Sequence, residues 1–308
     1  MQNLESLTKS PAYSMPRKLL FIVNPNAGKK ISNAIIKIIR KEFPQNMYYQ
    51  IVIWKNKDHF DEITTLLKSE GYTDAIAVGG DGTVNQVASV IQGTAIRLGI
   101  VPIGSGNGLA RSLGLSMDIE EVIKQIVEGK SAEIDCGQVN QQTFYCTSGV
   151  GFDAHIAYLF SKAKTRGLNT YVKVTIAQLL SYKAKVYTLE FNGMTINRKA
   201  FFITVANAGQ YGNDFYIAPQ AKLDDGLFHV VILKPFNVFT VFSIFINILR
   251  KKAHTSSNIE TYTTNKLTIT REGEDSIHFD GEPQMAGKQL SYYLQHKALN
   301  VIVGPDYK

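Results

Sequence analysis

Short apolar runs alternate with amphipathic stretches through the first half of the chain. Lys18-Leu19-Leu20-Phe21-Ile22-Val23 has the pattern of a buried strand, and Ile31, Ala34, Ile35, Ile38 and Ile39 recur behind it at helix spacing. Tyr48 to Trp54 predicts a second strand, Phe60 to Ser69 a second helix, and Ala75 to Val78 a third strand. A helix-period stripe of Val84, Val87, Ala88 and Ile91 comes next, then a fourth strand from Arg97 to Ile103 and a helix from Leu109. Such alternation implies a parallel sheet with right-handed crossovers, which places every strand-to-helix loop on one rim.

Three of those rim loops are rich in glycine or asparagine: Asn24 to Gly28, Gly79 to Asn85, and Gly104 to Gly108. Glycine lets backbone close on a ligand, and the N–H groups that open a helix face an anion with the positive end of the dipole. Asp81 adds a carboxylate, which suits a metal-bound nucleotide. One such turn is usually only a turn; three on one rim point to a nucleotide site. The spacing excludes a Walker-type loop, a dinucleotide fingerprint after the first strand, and the protein-kinase motif set.

After Glu133-Ile134-Asp135 the pattern becomes short apolar or alternating runs: Thr143 to Ser148, Val186 to Phe191, Phe201 to Val205, Phe228 to Leu233, Lys266 to Thr270, Ile277 to Asp280 and Leu299 to Val303. They predict an antiparallel, sheet-rich domain interrupted by helices near Thr170 to Tyr182 and Phe236 to Lys252. The second helix reads first as core, its basic end (Arg250-Lys251-Lys252) complementing the dipole, and second as a membrane-touching segment.

At 308 residues two domains are expected, and 44% hydrophobic with 19% charged residues is the composition of a folded chain. The net charge of +7 favours an anionic partner. No arginine-rich tract or aromatic RNA-binding signature accompanies it, so nucleic acid is not an expected partner. Cys136 and Cys146 read as buried thiols, and the histidines lack metal spacing. The polar start and the absence of a spanning apolar run predict a cytoplasmic protein, with transient membrane association compatible.

Gly79-Gly80-Asp81-Gly82-Thr83-Val84-Asn85, between Asn24-Pro25-Asn26-Ala27-Gly28 and Gly104-Ser105-Gly106-Asn107, resembles the catalytic domain of the diacylglycerol and sphingosine lipid kinases, bacterial diacylglycerol kinase type. NAD kinases and phosphofructokinases share the Gly-Gly-Asp-Gly core alone. The resemblance continues through Gly149-Val150-Gly151-Phe152-Asp153-Ala154, through Asn207, Tyr211 and Gly212, and through Ile217 to Ala221. Asp224-Asp225-Gly226-Leu227 and Phe279-Asp280-Gly281-Glu282-Pro283 complete it.

The resemblance implies an α/β N-terminal domain of the NAD kinase and diacylglycerol kinase kind, residues 16–135, with 290–308 packing back onto it. A β-rich, antiparallel sandwich-like domain, 136–289, would carry the lipid. Asn24, Pro25, Asn26, Ala27, Gly28, Gly79, Gly80, Asp81, Gly82, Thr83, Val84, Asn85 and Ser105 would bind the nucleotide, with Asp81 organising Mg²⁺ for ATP. Asp280 would be the general base, with Glu282 positioning it or the metal. The Asp225 carboxylate and the carbonyls of Lys222 and Leu227 would hold a second, structural Mg²⁺, an ordinary acidic turn being the alternative. Asp153 would meet the acceptor's polar head or cap a helix. A threonine that contacts nucleotide in the family aligns with Trp54 or Ile53, so contact there is by packing or absent.

The leading expectation is an ATP-dependent kinase of diacylglycerol or a related lipid, serving phospholipid metabolism at a membrane surface. A sphingoid long-chain-base kinase is its nearest rival, because Gly-Ser-Gly-Asn at 104–107 looks like the eukaryotic enzymes. NAD kinase and a non-catalytic nucleotide- or lipid-binding regulator are the further alternatives. Peripheral membrane contact and homodimer formation are both compatible with the sequence.

Overall fold

The computed structural model describes residues 16–25, 32–163, 168–179, 181–213, 215–252 and 255–307. The first half runs β1 (Lys18–Val23), α1 (Ser32–Glu42), β2 (Tyr48–Ile53), α2 (Lys57–Ser69), β3 (Asp74–Gly79), α3 (Asp81–Ile91), β4 (Arg97–Pro102), α4 (Gly108–Ser112) and α5 (Ile119–Glu128). Strands β2, β1, β3 and β4 lie side by side in that order, all parallel. Helices cover the sheet, so Leu19 to Val23 and Ala75 to Val78 are wholly buried, which is why these strands read as unbroken apolar runs. At the edge opposite the loop rim, the buried carboxylate of Asp74 is forked between Arg17 (3.1 Å) and Arg97 (2.8 Å), closing β3 with paired charge.

The second half contributes β5 (Ser131–Val139), β6 (Gln142–Phe144), β7 (Thr147–Gly151), α6 (Phe152–Ser161), α7 (Leu168–Leu179), β8 (Lys185–Phe191), β9 (Met194–Ala200), β10 (Phe202–Ala206), β11 (Phe228–Leu233) and α8 (Val238–Leu249). It ends with β12 (Ile259–Thr264), β13 (Lys266–Arg271), β14 (Asp275–Phe279), β15 (Glu282–Ala286) and β16 (Gln289–Ile302). Strand β16 returns to the first half and lies parallel to β4, Val301 opposite Leu98. Its other end pairs antiparallel with β13, so one sheet runs β2-β1-β3-β4-β16-β13-β8-β9 through both halves. A second, antiparallel sheet has the order β12-β11-β10-β7-β14-β15.

The two sheets form a sandwich. Tyr187, Leu189, Leu267, Ile269 and Tyr292 from one meet Val150, Ile203, Val205, Val230 and Ile277 from the other. Helices α6 and α8 cover the outer face of the second sheet, with Phe152, Ile156, Ile244 and Ile248 buried there. The core reading of α8 therefore holds at Ile244 and Ile248.

Two of the differences from expectation lie at the loop rim. Helix α3 begins at Asp81 rather than Val84, so the glycine turn is the first turn of a helix with Gly80 as its extended N-cap. The single strand predicted over Thr143 to Ser148 is broken between β6 and β7 at Tyr145-Cys146, whose amides turn towards Asp280.

Candidate active site

The second and third rim loops are in direct backbone contact. A Cβ on Gly104 would stand 2.6 Å from the Gly80 Cα, and one on Gly106 would stand 2.8 Å from the Asp81 carboxylate, so only glycine fits. Asp81 is the clasp: its Oδ2 accepts the Asn107 amide (2.9 Å) and its Oδ1 the Gly108 amide (2.7 Å). Asn107 adopts a left-handed conformation (φ 54°), and its side-chain carbonyl accepts the Gly104 amide at 3.0 Å. Burial raises the Asp81 carboxyl above its ordinary value, while the two amides hold it down.

From the first loop, the Asn24 side chain donates to Thr83 Oγ1 (2.9 Å). The Thr83 and Val84 amides both donate to the Gly80 carbonyl, and both side chains are buried. Thr83 and Val84 thus brace the turn, and the amides heading the helix before them face the rim. Ser105 is exposed, and its carbonyl accepts from Asn213 (2.8 Å), which joins this loop to the second half. Pro25 is exposed; Asn26, Ala27 and Gly28 lie outside the described residues.

Asp280 reaches the same place from the second half. Phe279 pairs with Glu282, leaving Asp280 and Gly281 as a two-residue hairpin turn with φ of 51° and 83°. Asp-Gly suits such a turn because both positions require positive φ. The carboxylate then points inward. Its Oδ1 accepts the amides of Cys146 (2.8 Å) and Thr147 (2.9 Å), and its Oδ2 accepts the Tyr145 amide (2.8 Å) and the Asn85 side chain (3.0 Å). Asn85 lies one helical turn beyond Asp81, so α3 presents Asp81 and Asn85 on one face. Burial raises the Asp280 carboxyl, three amides oppose that, and the nearby Asp81 charge adds to the rise. Glu282 is exposed, its Oε1 3.6 Å from where a Cβ on Gly82 would lie.

Asp153 sits in the first turn of α6 in a buried polar cluster. Its Oδ2 accepts the hydroxyls of Thr204 (3.0 Å) and Tyr211 (3.2 Å) and lies 3.2 Å from His278 Nε2, while Oδ1 accepts the Ala154 amide (2.7 Å). The Asp153 side chain is only 10% exposed. Thr204 and His278 are contributors that sequence reasoning missed; each sits within an apolar strand pattern that reads as core. Asn207, which the sequence offers only as part of a motif, fixes the segment beneath Asp280. Its side chain donates to the Asp135 and Tyr145 carbonyls at 2.8 Å, and its amide donates to Cys146 at 2.8 Å.

The residues expected at a second metal make local contacts of their own. Asp225 Oδ1 accepts the Leu227 amide (3.0 Å) in a local turn, Asp225 Oδ2 lies 3.6 Å from His229 Nε2, and Lys222 is exposed. Among the described residues no group of three or more His, Cys, Asp or Glu converges on a cation position. Trp54 tilts against Phe60 (4.7 Å between centroids) at the end of β2, and its indole N–H donates to the Asn56 carbonyl (2.7 Å).

Comparison with known proteins agrees with this architecture. Residues 18–139 match the model of the diacylglycerol kinase catalytic domain, and residues 147–303 match the YegS C-terminal NAD kinase beta sandwich-like domain. A diacylglycerol kinase of Bacillus subtilis (strain 168) is 26% identical over 275 residues, covering 86% of this chain and 90% of the relative. A protein of Klebsiella pneumoniae (strain 342), named "Probable lipid kinase YegS-like", is 26% identical over 299 residues, covering 95% and 98%. A crystal structure of a diacylglycerol kinase from Bacillus anthracis str. Sterne superposes with a TM-score of 0.74 at 21% identity, covering 96% of this chain and all of that one. With both halves matched in order, the chain belongs to the diacylglycerol kinase and YegS-type lipid kinase family.

Proposed function

We propose that this protein transfers the γ-phosphoryl group of ATP to a hydroxyl of diacylglycerol or a closely related lipid. The observation that carries the reading is the convergence of Asp280, on a hairpin of the second half, with Asp81 and Asn85 on the helix that opens the nucleotide rim. Phosphoryl transfer needs the triphosphate held, its charge offset and a group to take the acceptor's proton. The rim loops hold phosphate through backbone amides, and Trp54 offers an aromatic surface beside Asn24 for the base.

The site's donor set fits Mg²⁺. The Asp81 carboxylate accepts fewer donors than it has lone pairs, whereas the four donors on Asp280 leave none for a cation. Asp81 and the exposed Glu282 are therefore the residues that would hold it. Mg²⁺ bound with the triphosphate offsets charge on the transferred group. A hard-oxygen set of Asp225 and the Lys222 and Leu227 carbonyls would hold a second, structural ion.

Asp280 takes the acceptor proton in this reading. Three of its donors are fixed backbone amides, so Asn85 is the one that an acceptor hydroxyl can replace at Oδ2. The saturation of Asp280 also favours a second reading, in which Asp81 is the base and Asp280 is a positioning residue that holds the Tyr145–Thr147 segment. For the acceptor, Asp153 is already compensated by two hydroxyls, an amide and His278, so it offers little to an ammonium group. That supports a neutral diacylglycerol-like head over a sphingoid base. Incubation with labelled ATP, Mg²⁺ and a panel of diacylglycerol, sphingoid base and NAD tests the proposal by which acceptor carries label.

A further inference from the structure

The face of α3 that carries Asp81 and Asn85 continues to the end of the helix. Asp81, Asn85, Ala88 and Gln92 fall on one stripe, with Ala88 fully buried and Gln92 the C-cap residue. Asp81 clasps the third rim loop and Asn85 holds Asp280. Gln92 has a partner of its own: the Tyr145 hydroxyl donates to its Oε1 at 3.2 Å. Tyr145 is 1% exposed, and burial pushes its phenol well above the ordinary range, so it stays a donor.

The Gln92 carboxamide is thereby oriented, and its NH₂ donates to Gln295 on β16, which donates in turn to Gln138 on β5 (3.0 Å). The adjoining Gly93 amide donates to the Ala298 carbonyl (2.8 Å), so the end of α3 is seated on the irregular stretch of β16 between Gln295 and Leu299.

Tyr145 meets the site twice. Its backbone amide donates to Asp280 Oδ2 (2.8 Å), the oxygen that also takes the Asn85 side chain (3.0 Å), and its hydroxyl holds the helix that carries Asn85. These bonds close a ring, from Asp280 to Asn85, along α3 to Gln92, across to the Tyr145 hydroxyl, and through Tyr145 back to Asp280. A helix tied at one point can pivot about it, whereas ties two turns apart, about 10 Å, fix its tilt.

We infer that Tyr145 is a positioning residue for phosphoryl transfer: its hydroxyl, through Gln92, fixes the tilt of α3 against the Tyr145–Thr147 segment and so holds Asp81 and Asn85 in place beside Asp280. The inference rests on the lipid-kinase reading only in setting Asp81 and Asp280 at the reacting groups. Tyr145 gives no such signal in the sequence, because it falls in an apolar strand pattern and its partner lies 53 positions away.

Tyr145→Phe keeps the ring and the backbone amide and deletes the hydroxyl, and Gln92→Leu deletes its acceptor at the half-buried end of the helix. Each is expected to lower turnover about fivefold or more with the KM for ATP within about twofold of the parent, because the phosphate loops are untouched. The double variant is expected to be no worse than the lower single one, since both break the same bond. Gln138→Ala breaks only the far end of the glutamine line and is expected to match the parent. Hydrogen exchange without nucleotide or acceptor is expected to quicken about threefold or more in Tyr145→Phe over residues 84–92 and 144–148, and to stay parental elsewhere. That arm stands whichever acceptor carries label, so a parent that transfers to nothing overturns the lipid-kinase reading and not this one. Parental turnover in both single variants, additive losses in the double variant, or a loss in Gln138→Ala equal to that in Tyr145→Phe overturns the inference. So does exchange that is unchanged in those two segments or quickened throughout the chain.

Discussion

Asn85 and Asp280 stand 195 positions apart in the chain and meet at 3.0 Å, the side-chain amide of one donating to the carboxylate of the other. This bond ties the second turn of the nucleotide-rim helix to a hairpin of the sandwich. Every step assigned to the site depends on that join, because the phosphate loops come from one half and Asp280 from the other.

Removing the donor tests the join. Asn85→Ala takes one hydrogen bond from a buried carboxylate, at a cost of about 1.5–3 kcal/mol in stability for a charge-assisted bond. The loss favours the protonated carboxyl, so the Asp280 pKa rises further and the acid limb of the pH–rate profile moves to higher pH. A parallel shift in midpoint and profile is expected; an unmoved acid limb assigns the titrating base to another group, Asp81 first.

Asp280→Asn has a mixed effect. An asparagine puts an NH₂ group against at least one backbone amide, leaving donor facing donor and costing about 1–3 kcal/mol. Transfer should fall about 10²–10⁴-fold, as for loss of a general base. Thermal unfolding and nucleotide binding measured on the same preparation separate the two: retained ATP affinity with lost transfer is the expected pair, and near-parental transfer removes Asp280 from the chemistry.

Much of this was legible in the chain. The apolar runs of β1, β3 and β4 are unmistakable because helices bury both faces, and the three glycine-rich loops follow from their ends. The start of α3 is not legible from the apolar stripe, because Asp81-Gly82-Thr83 lacks apolar spacing, although an extended glycine caps it. Strands β9, β12 and β15 carry no clear strand signal for a related reason: much of each is polar or exposed, as edge strands allow. Asp280 was found through its motif, but its amide nest was not. That nest is backbone from Tyr145 to Thr147, and backbone geometry leaves no residue-type signal. His278 and Thr204 were hidden because one polar residue in an apolar strand says nothing about what it faces.

The clasp between loops predicts a separable defect. Asp81→Ala releases the Asn107 and Gly108 amides together, so the third loop loses its register with the second. ATP affinity should fall at least tenfold and transfer should fall with it, measured by nucleotide titration and turnover. Gly104→Ala should do the same sterically, because its Cβ would press within 2.6 Å of Gly80 Cα. Parental nucleotide affinity in both variants contradicts the clasp.

The Asp153 cluster predicts an acceptor-side effect. Tyr211→Phe removes one donor from the carboxylate and leaves the nucleotide rim alone. The KM for the lipid should rise severalfold or its kcat/KM fall about tenfold, with the KM for ATP unchanged. Equal change in both substrates would place Tyr211 in support of the whole site.

Titration gives a further check. Burial holds the Asp280 and Asp81 carboxyls above their ordinary value, and a base must be ionised to work. Activity is therefore lost on acidification at a pH above the usual carboxylate range, about 4. An acid limb at or below that value conflicts with either carboxylate as base.

The most direct test of the central claim is acceptor identity. The protein is incubated with γ-labelled ATP and Mg²⁺ in the presence of diacylglycerol, a sphingoid base and NAD together, and the labelled product is separated. The account predicts label on the lipid hydroxyl of diacylglycerol, at least tenfold above either competitor. Label on NAD, or on no acceptor at all, contradicts it.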